Sequence, residues 1–142
     1  MKRFMNRPLS VAAGVATLVL LGSAIAAQAG ECLPFSFAAQ SAEIVDSRGN
    51  RLWVIQTGTA THLGNVIVYR DIRQFGDVAV GDVTMEAANG DLLFLLTVTE
   101  FNPESGRFEG YYEITGGTGR FEGATGSGTQ IQGEGLNGTI CF

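Results

Sequence analysis

Residues 106–126 read GRFEGYYEITGGTGRFEGATG, and the pentapeptide Gly-Arg-Phe-Glu-Gly occurs twice in them, at Gly106–Gly110 and Gly119–Gly123. Phe108, Tyr112 and Ile114 share one parity, while Arg107, Glu109 and Glu113 take the other. A two-residue period of this kind marks a β-strand with one buried face. The stretch is expected to form two strands and the turn between them, with Phe108 and Phe121 inward. Arg107/Glu109 and Arg120/Glu122 then face water and suit ion pairing across neighbouring strands. Gly117-Thr118-Gly119 lacks the lysine and the following helix of a phosphate-cradling loop, so it reads as turn chemistry.

The same reading extends in both directions. Leu33–Val45 places Leu33, Phe35 and Phe37 on one face, and Asp46–Asn50 is a turn cluster. Leu52–Thr57 is strand, its Thr-rich continuation can be strand, and Leu63-Gly64-Asn65 is a tight turn or a bulge. Val66–Arg70 is strand, and Asp71–Phe75 is a loop or a helical turn. Val78–Ala88 alternates, but its apolar parity slips at Gly81-Asp82, where a bulge is expected. Asn89-Gly90 is a hairpin signal. In Asp91–Phe101, Leu92, Phe94, Leu96 and Val98 form the inner face, and the added apolarity of Leu93 and Leu95 fits a strand covered on both sides, either centrally or at a subunit interface. Thr125–Gln132, a turn at Gly133–Gly135 and Leu136–Phe142 complete the chain. About eight short strands and no amphipathic helix predict an all-β fold, an eight-stranded antiparallel meander barrel.

The chain starts Met-Lys-Arg, runs through an apolar stretch from Val11 to Ala27 and reaches Ala27-Gln28-Ala29. This is the pattern of a secretory signal peptide over residues 1–29, with a single barrel domain over 30–142 and a periplasmic or extracellular destination. Cleavage removes Lys2, Arg3 and Arg7 and no acid, leaving 6 of the 9 basic residues against all 14 acidic ones, a formal charge of −8. That balance excludes non-specific nucleic-acid binding and disfavours adhesion to anionic lipid. Eight membrane-spanning strands of about 9–11 residues would leave little of the domain for loops, so no membrane insertion is expected after cleavage. Cys32 and Cys141, at opposite ends of the domain, are expected to pair as a disulfide in an oxidising compartment. The pair also requires the first and last strands to be neighbours.

The segment Gly116-Gly117-Thr118-Gly119-Arg120-Phe121-Glu122-Gly123-Ala124-Thr125-Gly126 resembles the late hairpin of the allene oxide cyclase-like and plant dirigent barrels. Gly58–Gly64, reading Gly-Thr-Ala-Thr-His-Leu-Gly, and Ala88–Asp91, reading Ala-Asn-Gly-Asp, are similar to segments of small exported bacterial proteins with that architecture. The resemblance implies a calycin/allene oxide cyclase-like barrel with an apolar cavity, a homo-oligomer, and a hydrophobic small molecule as partner. In the plant relatives such a cavity steers a cyclisation or a radical coupling. No catalytic residue of those relatives maps onto this chain.

Several residues carry candidate chemistry. His62, the only histidine, is either a general base at a cavity mouth or a turn residue beside Gly64. Glu100 shares parity with Leu92–Val98, so burial at the barrel end would raise its pKa and make it an acid or base; the other reading is a solvated strand end. Tyr112, Phe94 and Phe108 are candidate ligand-binding residues of the inner face, and an inward aromatic is otherwise core. Neither a metal-binding pattern nor a cofactor motif is legible. The residues weigh toward a binding or scaffold module, with a cyclase or isomerase and a structural envelope protein as alternatives.

Overall fold

A computed structural model describes residues 30–142. The expected signal peptide, residues 1–29, lies outside the described residues. Eight antiparallel strands follow one another around a closed barrel in sequence order. They are β1 (Cys32–Arg48), β2 (Arg51–Ala60), β3 (Gly64–Phe75), β4 (Val78–Ala87), β5 (Leu92–Asn102), β6 (Arg107–Gly117), β7 (Gly126–Ile131) and β8 (Gly135–Cys141). Gly49 (φ 58°) and Gly76 (φ 62°) occupy the two-residue turns after β1 and β3, in the left-handed region that glycine enters without a Cβ penalty. The barrel closes between β1 and β8, where Cys32 lies directly opposite Cys141 and is joined to it by a disulfide, Sγ–Sγ 2.01 Å.

Four local expectations are corrected by the pairing. Asp71–Phe75 is neither loop nor helical turn: β3 runs unbroken to Phe75, because Arg73 pairs with Val80 and Phe75 with Val78. There is no bulge at Gly81-Asp82, since β4 pairs continuously on both sides. Gly81 is itself a buried inner position, and a Cβ there would come within 2.6 Å of Thr97 Oγ1. Val78 and Val80 therefore stay on the outer face.

The third correction is the parity of β5. Leu93, Leu95, Thr97 and Thr99 are buried, whereas Leu92, Phe94, Leu96, Val98 and Glu100 face outward. Register decides this: Leu93 pairs with Met85 and Leu95 with Val83, both of them interior. The inward threonines satisfy their hydroxyls on main-chain oxygens, Thr97 on Gly81 at 3.3 Å and Thr99 on Ala79 at 3.5 Å.

The fourth concerns the second Gly-Arg-Phe-Glu-Gly. It is not a strand but a short 3-10 turn, Gly119–Phe121, within the crossing from β6 to β7. The crossing is tied to β5 by Thr118 N to Leu92 O at 2.8 Å and Leu92 N to Thr118 Oγ1 at 3.0 Å. It drives Phe121 into the barrel end, where the ring is fully buried. Arg120 pairs with Asp91 at 3.3 Å and Arg107 with Glu134 at 2.7 Å, so both arginines form surface ion pairs, with acids outside the two pentapeptides.

Phe121 plugs one half of the interior. Phe35, Phe37, Tyr112, Met85 and Leu93 fill the space below it. Full burial of such side chains contributes about 1.5–3 kcal/mol each. Tyr112 packs edge-on to Phe35, with ring centroids 5.8 Å apart, and donates its hydroxyl to Thr139 O at 3.2 Å. Its ring needs room, which the paired residues Gly128 and Gly138 supply. A Cβ on Gly128 would lie 2.6 Å from Tyr112 Cε1, and one on Gly138 would lie 2.7 Å from Tyr112 Oη. The glycine richness of β7 and β8 is thus a packing slot for one aromatic ring.

Candidate functional site

The opposite half of the barrel is open. β8 pairs with β1 only as far as Leu136–Phe37, while β1 continues to Arg48 paired with β2 alone. The short β7 and β8 and the long β1–β2 hairpin leave a cleft of about 520 Å³ between them. This lies within the size range of small-molecule sites, roughly 300–1,000 Å³. Phe37, Val54, Ile72, Ala79, Phe108 and Ile131 supply its apolar wall.

Polar groups enter the cleft from β2, β3 and β7. Val66, Val68, Arg70, Ile72 and Gln74 are alternate residues of β3, so the register that buries the valines also turns Arg70 inward. Arg70 is 7% exposed. Its Nε donates to Gln56 Oε1 at 2.6 Å. Among the described residues no carboxylate pairs with it. Burial lowers its pKa to about 10, because the charged form has lost water without gaining a counter-ion. Gln130 Oε1 is buried with no hydrogen-bond partner.

The lining is strongly biased in composition. Gln40, Gln56, Gln74, Gln130 and Gln132, every glutamine of the described residues, contribute to the cleft, and none of the 14 acidic residues does. Among the described residues Arg70 is its one ionisable side chain. The site therefore offers amides, the hydroxyl residues Ser41 and Thr99 and a guanidinium against an apolar wall, and none of its lining groups among the described residues exchanges a proton near neutral pH.

The residues singled out from sequence fall in different places. Phe108 reaches the cleft, half-buried, with its ring 5.5 Å from that of Phe101. Tyr112 is inward as expected but belongs to the packed half, with burial pushing its phenol pKa up. Phe94 is not a cavity residue, because the β5 register turns it to the outer face. Glu100 is likewise exposed and opposite Glu109, so it is not the buried acid or base at the barrel end that the sequence suggests.

His62 lies in the β2–β3 turn at the plugged end, away from the cleft. It is exposed and adopts φ 67°, and its Nε2 is 2.9 Å from Pro34 O. Its ring stands edge-on to Phe142, with centroids 6.2 Å apart. These contacts brace the turn against β1 and the chain end. Arg70, Gln56 and Gln130 were not anticipated from the sequence. The available signal was a polar residue on an apolar parity, Val66-x-Val68-x-Arg70 and Val54-x-Gln56.

Comparison with known proteins finds no matching family model, no matching curated protein and no matching solved structure.

Proposed function

We propose that this protein is an exported binding module that holds a hydrophobic small molecule in the open half of its barrel and leaves it chemically unchanged. The observation that carries the reading is the cleft of about 520 Å³, half of its interior neighbours packed solid and its own wall apolar. Export is supported by the leader pattern of residues 1–29 and agrees with the Cys32–Cys141 disulfide. The allene oxide cyclase-like resemblance supports a cavity-bearing barrel. Proton-transfer catalysis in the cleft needs an acid or base in reach of the ligand, and neither His62 nor Glu100 lines it.

Native mass spectrometry of protein purified from its source, without added ligand, tests this reading. The expected result is one co-purifying apolar molecule, lost from an Ile131→Trp variant that fills the cleft. Protein that emerges empty and takes up no apolar probe in the cleft would refute it.

A further inference from the structure

We infer, building on the reading of the cleft as a hydrophobic binding site, that its ligand is an amphipathic anion: an oxyanion head group, such as a carboxylate, held by Arg70 with Gln56 and Gln130, and an apolar body lying along Phe37, Ile72 and Phe108. Three observations converge on the head group.

The first is the uncompensated cation. Arg70 is more than nine-tenths buried, uses Nε on Gln56 and has no carboxylate partner among the described residues. A buried charge without a counter-ion is costly, and a buried guanidinium is ordinarily paired. With Nε engaged, the Nη1/Nη2 end of the fork remains, and its paired N–H groups match the two oxygens of a carboxylate. A neutral carbonyl or ether would accept a hydrogen bond there but leave the charge unbalanced.

The second is the distribution of charge. The domain carries 14 acids against 6 arginines, yet the cleft wall holds an arginine and no acid. The five glutamines give the wall polarity without negative charge. An anion finds in the cleft a site free of the repulsion that the rest of the surface offers.

The third is Gln130, whose buried Oε1 has no donor. Rotation of its amide presents either N–H or oxygen to a ligand, so it serves an ionised oxyanion or the hydroxyl of a hydroxy acid. It is a second polar group in the same cleft that the protein leaves unsatisfied.

The test compares probes that differ only at the head group. Isothermal titration of the purified protein uses dodecanoate against dodecanol, and 2-naphthoate against 2-naphthol. At least one acid is expected to bind about tenfold or more tightly than its neutral counterpart, the scale of one charge-assisted hydrogen bond. Arg70→Gln is expected to abolish that preference while leaving alcohol binding unchanged. Arg120→Gln, which removes the same charge at the plugged end, keeps it. Equal affinity for acid and alcohol overturns the anion inference and leaves the hydrophobic-cleft reading standing. Failure of all four probes to bind overturns both. A preference that survives in Arg70→Gln shows that the anion is held elsewhere and overturns the assignment.

Discussion

The Nε of Arg70 donates to Gln56 Oε1 at 2.6 Å across the β2–β3 pair, joining a buried cation to a neutral amide where a carboxylate would be the usual partner. Desolvation holds the Arg70 pKa at about 10, below its ordinary value. A cation whose folded pKa is lowered binds its proton less well in the native state than in the unfolded chain. The resulting cost is present throughout the range below pH 10 and is relieved as pH rises from about 10 toward the unfolded value. Arg70→Met is therefore expected to leave the unliganded protein at least as stable, with a gain on the order of 1 kcal/mol. Urea denaturation at pH 7 checks this, and a clear loss of stability would show that the guanidinium is well satisfied in the native protein.

The Gly128–Gly138 slot gives the opposite expectation. Gly128→Ala puts a methyl group against Tyr112 and the Asn137 carbonyl, which would lie 2.2 Å from it. Strand-to-strand spacing cannot open without breaking the β7–β8 ladder, so a loss of about 2–3 kcal/mol is expected from overpacking. Thermal unfolding of Gly128→Ala and Gly138→Ala measures it. Wild-type stability in both would mean that the ring is free to move aside.

His62 separates backbone strain from side-chain bonding. At φ 67° a side chain costs roughly 1 kcal/mol or more relative to glycine, while the contact with Pro34 O offsets about the same amount. His62→Ala keeps the strain and loses the bond, so it is expected to cost about 1 kcal/mol. His62→Gly loses both and is expected to be close to neutral. Chemical denaturation of the pair should rank Gly above Ala; the reverse order would remove the strain argument.

The disulfide closes a sequence separation of 109 residues. The chain-entropy model assigns such a closure about 4–5 kcal/mol, an upper figure. Cys141→Ser is expected to lower the unfolding midpoint strongly in oxidising buffer and to match the wild type once both are reduced. Equal wild-type stability with and without reductant would contradict this.

On the outer face, Arg51 forks onto Asp71, with Nε to Oδ1 at 2.8 Å, and lies over the Trp53 ring, 4.7 Å from its centroid. The hydrogen bond from Arg51 lowers the Asp71 pKa. A carboxyl with a lowered folded pKa contributes stability above its unfolded pKa of about 3.9 and loses it as pH falls through the folded value. Asp71→Asn is expected to flatten the acid limb of a stability–pH curve below about pH 4. The effect is small because the pair sits on the outer face and is only partly buried. An acid limb that superimposes on the wild type would assign the loss to other carboxylates.

Much of the architecture was legible in the sequence because Phe35 and Phe37 flank Ser36, and Tyr112 and Ile114 flank Glu113, at a strict two-residue spacing. The two cysteines, one near each end, named the closing pair before any register was known. Leu92–Val98 was not legible, because both of its parities are apolar and alternation then expresses no preference. The barrel buried the odd residues, even though they end in two threonines, since only that register sets Leu93 and Leu95 beside Met85 and Val83. The two copies of Gly-Arg-Phe-Glu-Gly make the limit sharper. Identical residues form strand in β6 and a 3-10 turn at Gly119–Phe121, so the difference resides in what each phenylalanine packs against.

The cleft was hidden for a related reason. Arg70 is the last residue of the strand expected at Val66–Arg70, whereas the strand continues through Ile72 and Gln74 and carries Arg70 into the interior. Gln56 sat in a run of apolar residues, where a lone amide is easily taken for an outward position. Once the length of β3 is known, both follow from parity alone.

The link between Cys32 and Cys141 has a mechanical consequence. The two Cα atoms are 4.0 Å apart, and every strand of the barrel lies on the loop between them. Tension applied to the flanking chain enters at one cysteine and leaves at the other through the sulfur atoms, so the sheet is off the load path. The domain is an inextensible node in a stretched chain while oxidised. Reduction turns it into a zipper whose first teeth are the six residue pairs between β1 and β8.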